Sequence, residues 1–468
     1  MTSLFKGTFV DTPKAGELRI RRDHLLGVSS EGYIAHLAPI SSPSSQSLLS
    51  SSSYSGIEPL SLGEFSFLLP TFSDLHLHAP QYLYAGTGLD LPLMEWLEKY
   101  AYRAEERIDQ DPLLAERVYE RLVQRLKELG TGMVTFFGSI GVEANLILAK
   151  KMQEAGLRGF IGKLSMDQSP RATYGEPSAD YSLKSVTSFL DSLESYTSTF
   201  PPHLRLVEPI ITPRFVPVCS DELLTGLEKL GKERGVRVQS HMCEGRDQMD
   251  MVFKSRGEKD QHVFDKLGLL GPKTLQAHVT YLDEEMIPLV KDRQVTMAHC
   301  PLSNAYMSEK QFPLREALDE DLSVGLGSDI AGGYSPSIQT QMRQAVVIAR
   351  LREGARCESL GCSFGTSHEK GGKNLRVDWT EALYVATRGG KKGMGMGGAL
   401  EVGMEFDAQL IELAGTETPG GTGPLDLFDL RQGSELDEAG WKEAVERWWC
   451  NGDERNRKGM WIQGRKVA

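Results

Sequence analysis

Two histidines one residue apart at the end of an apolar run can grip a metal ion, and His76-Leu77-His78 stands directly after such a run. The run, Phe65-Ser66-Phe67-Leu68-Leu69-Pro70-Thr71-Phe72, reads as a buried strand. Alternate residues of a strand share a face, so both imidazoles point the same way. Neutral imidazoles in pairs suit a divalent transition metal. His241, His278 and Asp329 each end a later apolar run. A lone histidine at a strand end is usually a hydrogen-bonding residue; five such positions together describe one metal-binding rim.

A catalytic zinc keeps three or four protein ligands and a place for water. The ligands are assigned as His76, His78, His241 and Asp329. His278 is assigned as a hydrogen-bond partner of the water, with a fifth-ligand role as the alternative. Metal binding lowers the pKa of water from about 15.7 to about 7, so the chemistry this set serves is hydrolysis. Hydrolysis needs a proton carrier, and Glu244 follows His241 by three residues in His241-Met242-Cys243-Glu244. A surface glutamate opening the next helix is the competing reading of Glu244. Nothing in its surroundings activates Cys243, which is read as packing, and His299 is given a supporting or structural role. His24, His36, His203, His262 and His368 carry no motif.

Elements that end on one rim must run parallel. After the HxH segment, helical patterns alternate with short apolar strands. Asp111-Pro112 opens a helix with apolar residues Leu114, Val118, Leu122 and Leu126, stopped at Gly130, and Val142 to Ala155 forms another, ended by Gly156. Strands are expected at Gly132 to Phe137, Arg158 to Lys163, Arg205 to Thr212, Val236 to His241, Thr274 to Val279, Val295 to His299 and Ser323 to Ser328. With the first strand these make eight, and the fold class is α/β, a (β/α)8 TIM-like barrel. Such barrels carry their chemistry at the carboxyl ends of the strands.

A small β-sandwich domain is expected from both chain ends: residues 1–65 and 396–468, flanking a barrel over 66–395. Its C-terminal strands are Ala408 to Leu413 and Gly459 to Val467. Ten of the fifteen residues from Ser41 to Ser55 are serine, which reads as a loosely held insertion. Gly361 to Asn374 and Gly415 to Pro424 read as surface loops. Gly393-Met394-Gly395-Met396-Gly397-Gly398 matches GxGxxG, but it follows a helix instead of a strand and is assigned to a turn.

The chain has 468 residues and a net charge of -12, which fits an enzyme acting on a small molecule and argues against nucleic-acid binding. Its six cysteines form no CxxC pair, as expected of reduced thiols in the cytoplasm. Met1 to Arg22 lacks the apolar core of a signal peptide, and no run is long enough to span a bilayer.

Several stretches are specific: His76-Leu77-His78-Ala79-Pro80-Gln81-Tyr82, Asp90-Leu91-Pro92-Leu93-Met94-Glu95-Trp96-Leu97, Thr212-Pro213-Arg214-Phe215, Ser240 to Glu244, Ala298-His299-Cys300-Pro301-Leu302-Ser303-Asn304, and Gly325 to Ser335. Together they resemble the amidohydrolase superfamily, and within it the guanine deaminases, from Leu69 to about Val402. The resemblance implies conversion of guanine and water to xanthine and ammonia, with one zinc per chain. It implies that a zinc-activated water attacks C2 while Asp329 accepts its proton. Glu244 would protonate a ring nitrogen beside C2 and assist departure of the amine, and His278 would orient the water. A second metal would need a bridging lysine at the fourth strand, Val207 to Thr212, which has none; Lys163 is expected in an ion pair.

For substrate binding, Arg214 offers a planar fork toward acceptors and Gln81 a donor and an acceptor. Phe215 either stacks on the purine or packs, and His241, Glu244 and Asp329 complete the substrate-binding set. A homodimer is expected by resemblance alone. The alternatives are a related deaminase acting on 8-oxoguanine, a pterin, cytosine or a triazine, and a scaffold without catalysis.

Overall fold

The computed structural model describes residues 2–364, 374–414, 426 and 435–468. His368 and the loop from Gly415 to Pro424 lie outside the described residues, as does most of the excursion from Gly361 to Asn374. Eight parallel strands run in sequence order around one sheet: Phe72–His78, Thr131–Phe137, Arg158–Gly162, Val207–Pro213, Arg237–Met242, Thr274–His278, Thr296–His299 and Ser323–Leu326. Helices alternate with them, beginning with Pro112–Glu128, where Asp111 caps the Leu114 N–H, and Val142–Ala155, which ends on left-handed Gly156. The barrel closes through Asp329 N–H to the His76 carbonyl at 2.7 Å and His78 N–H to the Ile330 carbonyl at 3.0 Å. Buried Asp74 adds a side-chain clasp, accepting from the Ser328 N–H at 2.9 Å and its hydroxyl at 2.5 Å.

One part of the first-strand reading is corrected. The apolar run before the histidines does not lead into the barrel as one strand. Ser66–Pro70 pairs with Ala408–Glu412 and with Ser3–Lys14 in the smaller sheet, and the chain changes sheets at Thr71. Both strands are buried throughout, so hydrophobicity carries no mark of the switch. Pro70 is the only local signal, because its missing N–H ends a ladder.

Among the described residues the smaller sheet has eight strands drawn from both chain ends, seven in one hydrogen-bonded path and the eighth, Leu60–Ser61, paired beside Ser3–Lys14. Its first hairpin pairs Ser3–Lys14 with Glu17–Val28 and turns tightly at Gly16. The last expected strand is instead a hairpin, Arg457–Ile462 and Arg465–Lys466, turning at Gln463 and Gly464. The serine tract is also corrected: Pro43–Leu49 is a helix capped by Ser42, with Ser45 buried. Leu48 and Leu49 pack on Leu4, Leu25 and Tyr54, and the Ser45 hydroxyl meets His36 Nε2 at 2.8 Å, which seats the helix on the sheet. A helix not anticipated, Glu438–Asn451, buries Trp441, Trp448 and Trp449. Among the described residues, no helix is long and apolar enough to cross a membrane.

Candidate active site

The carboxyl ends of the barrel strands bring His76, His78, His241, His278, Glu244 and Asp329 into one buried cluster. Three of the turns that aim these groups are held in left-handed backbone at non-glycine residues, Cys243, His278 and Asp329. Such conformations cost on the order of 1–3 kcal/mol each and persist where packing enforces them. The Glu244 turn is enforced by Thr280, whose hydroxyl donates to the Cys243 and Glu244 carbonyls. Asp260 accepts from the Cys243 N–H. Beside Asp329, a Cβ at Gly332 would stand 2.9 Å from its carboxylate and 2.8 Å from the Ser303 hydroxyl, so no other residue fits there unchanged.

His78 Nε2 and His241 Nε2 lie 3.0 Å apart, and His76 Nε2 is 3.1 Å from Asp329 Oδ1. The His241 Nδ1 is engaged by the Arg214 carbonyl at 2.6 Å, which turns Nε2 toward His78. Burial, reinforced by His76, holds both His78 and His241 well below the usual imidazole range, so both are neutral. With Nδ1–H donating to the Arg214 carbonyl, His241 Nε2 presents a lone pair toward His78 Nε2, and a cation between the two rings would accept a lone pair from each. His76 Nδ1 has no hydrogen-bond partner among the described residues, a costly state for a buried polar atom, and Nε2 faces the Asp329 carboxylate. These donors fit a divalent metal ion.

His278 stands slightly apart. Its Nδ1 meets Asn304 Oδ1 at 3.0 Å, while Nε2 lies 3.7 Å from Glu244 and 3.8 Å from Asp329. The two carboxyl groups are pushed in opposite directions. Burial drives Glu244 upward, partly countered by His278. For Asp329 burial acts the same way, but His76, by charge and hydrogen bond, and His278 override it and hold the group well below the carboxylate range. Divergent carboxyl groups in one cleft are the arrangement of an acid and a base.

Next to this cluster is a narrow recess that opens to solvent, walled by Leu93, Trp96, Leu97, Met307 and Phe215. Gln81, Arg214, His241, Glu244 and Asp329 supply its polar edge. Phe215 sits edge-on to His241, with ring centres 6.3 Å apart. Lys163 is buried against Glu176 at 2.6 Å, the ion pair expected of it. His299 stacks on Phe312 away from the cluster, and Cys243 is buried packing. The GxGxxG segment follows the helix Gly390–Gly393 as a turn.

Sequence reasoning missed Glu105, Asp74 and Asn304. Glu105 occupies the buried face of the helix Tyr102–Gln110 together with Tyr102 and Ile108. An acidic residue at i+3 spacing within an apolar face was the available signal. Asp74 interrupts a buried strand in the same way.

A metal-binding set on a (β/α)8 barrel with an attached sheet defines a class of metal-dependent hydrolases, and the comparisons agree. The model of the Amidohydrolase family matches residues 67–467, and the chain belongs to that family. Within it, the chain is 33% identical to a guanine deaminase of Dictyostelium discoideum, over 99% of this chain and 98% of the relative. It is 32% identical to the guanine deaminase of Homo sapiens, over 100% and 97%. The crystal structure of the C. acetobutylicum guanine deaminase with guanine bound in its active site superposes with a TM-score of 0.84 at 28% identity. That match covers the whole of both chains.

Proposed function

We propose that this chain catalyses the hydrolytic deamination of guanine to xanthine and ammonia. The observation that carries the reading is the recess, which Gln81, Arg214 and Phe215 line together with the acid–base pair Glu244 and Asp329. The full-length similarity to guanine deaminases supports the same substrate. In this reading His76, His78, His241 and Asp329 hold one zinc ion; the convergence of the three imidazoles, with Asp329 Oδ1 3.1 Å from His76 and 3.7 Å from His78, supports that assignment. When bound, the metal lowers the pKa of a water so that it is a nucleophile at neutral pH.

The remaining steps belong to the side chains. Asp329, kept ionised, accepts the proton of the attacking water. Glu244, raised by burial, delivers a proton to the ring nitrogen beside C2 and then helps the amine leave as ammonia. His278, steadied by Asn304, holds the water between the carboxylates. Arg214 and Gln81 hold the acceptor edge of the purine, and Phe215 with Leu93 and Trp96 excludes bulk water. A cytoplasmic homodimer is part of the same proposal; the six free cysteines support a reducing compartment.

The test is chromatographic detection of xanthine after zinc-replete protein is incubated with guanine, beside adenine, cytosine and 8-oxoguanine. Xanthine is the expected product. Turnover of a different base would retain the hydrolase and discard guanine as its substrate.

A further inference from the structure

Glu105 is fully buried and lies outside every motif of the sequence. Its two oxygens are divided between two residues of the recess. Oε1 accepts from Gln81 Nε2 at 2.9 Å, and Oε2 accepts from Arg214 Nη1 at 2.5 Å. The Arg214 guanidinium lies over the Tyr102 ring, 4.7 Å from its centre, which fixes the plane of the fork. The Gln81 carbonyl oxygen accepts from the Ala331 N–H at 3.1 Å.

These contacts set the direction of both side chains. A backbone N–H only donates and an ionised carboxylate only accepts, so the Gln81 amide has one orientation that satisfies both neighbours. Its amide nitrogen faces Glu105 and retains a second hydrogen. Arg214 Nη2 is a buried donor with no partner among the described residues, and Arg214 lines the recess. The substrate therefore meets two donors. A purine with a carbonyl at C6 and an acceptor at N7 satisfies both, whereas an amino group at C6 sets a donor against a donor.

We infer that Glu105 is a positioning residue for specificity: it locks Gln81 and Arg214 as a pair of donors that select 6-oxopurines over 6-aminopurines. This inference rests on the proposed guanine deamination. A neighbouring contact defines the competing role, because Glu105 Oε1 also lies 4.0 Å from Nδ1 of His78 and could serve that histidine instead.

The test compares guanine with 2,6-diaminopurine, which keeps the reacting 2-amino group and replaces the C6 oxygen with an amino group. Wild-type protein and Glu105→Gln are assayed for kcat and KM with both bases, and for bound zinc. Glu105→Gln is expected to raise KM for guanine about tenfold to a hundredfold and to reduce the guanine preference by at least about tenfold, with zinc retained. Unchanged KM and preference would overturn the inference. So would loss of zinc and kcat with the preference intact, which would assign Glu105 to His78. Should Glu105→Gln not fold, Glu105→Asp keeps the charge but withdraws it by one methylene; a smaller loss of preference is expected, and an unaltered preference overturns the idea. Wild-type protein that yields no xanthine removes the guanine reading and this inference together. Wild-type turnover with an unaffected Glu105 variant removes this inference alone.

Discussion

Two buried polar clusters occupy opposite ends of the same barrel, and they are built by opposite rules. At the amino ends, Arg158 at the start of the third strand makes two hydrogen bonds to Asp407, at 2.7 and 3.0 Å. Lys391 reaches the same carboxylate at 3.2 Å and the Thr71 hydroxyl at 2.9 Å, and Gln463 bonds to both Arg158 and Asp407. Every charge there has a partner, and the cluster fastens the small sheet to the barrel. At the carboxyl ends, His76, His78 and His278 carry buried nitrogens with no hydrogen-bond partner among the described residues, and the turns at Cys243, His278 and Asp329 are held in the left-handed region. One end is finished by the chain itself. The other presents donor atoms that fit a metal ion, and this is the physical difference between a joint and a site.

Substitution at the two ends should separate activity from stability. Glu244→Gln has the largest expected effect, a fall in kcat of about 10²- to 10⁴-fold, the usual contribution of a positioned acid or base. Thermal unfolding should be unchanged or slightly later, because a carboxyl raised by burial has been relieved. A lowered unfolding temperature would mean that Glu244 supports the fold as the junction residues do.

Asp407→Asn should show the reverse. Removing one partner of a buried ion pair leaves charge uncompensated, here on Arg158 and Lys391, and costs about 3–5 kcal/mol. The kcat of the folded protein should barely move. The loss also has a pH signature. Burial raises the Asp407 carboxyl, but Arg158 and Lys391 override it and hold the group below the carboxylate range. Its contribution is therefore fully present above the unfolded pKa of about 3.9 and fades as pH falls from there toward the folded value. Denaturant unfolding should show the gap between wild type and variant shrinking below about pH 4. A gap independent of pH would assign the destabilisation to packing.

The two ends also differed in how much the sequence disclosed. His76, His78, His241, His278 and Asp329 were legible because each ends an apolar run, and a parallel barrel brings such ends together whatever lies between. Helix limits such as Asp111 and Gly156 were legible because capping is local. Glu105 and Asp407 were not, since their partners are separated by 109 residues for Arg214 and 249 for Arg158. A charge with a distant partner gives no local sign of that partner, even where, as at Glu105, an apolar helix face marks it as buried. The change of sheet at Thr71 was hidden for a different reason: both strands are buried on both faces, so there is no alternation to break.

The smallest effect gives the closest test of the comparison. If the carboxyl-end cluster lacks only its ligand, zinc should stabilise metal-free protein by binding the folded state alone, by about 2.7 kcal/mol at a hundredfold excess over Kd. The same increment should be found in Asp407→Asn, because the two clusters share no partner and independent sites add to within about 0.5 kcal/mol. Titrating zinc into both proteins during denaturant unfolding measures it. Equal shifts would establish two independent ends. A larger shift in Asp407→Asn would show that metal binding also tightens the junction, with the barrel strands carrying the coupling from one end to the other. No shift in either protein would mean that the unpartnered imidazoles are not ligands.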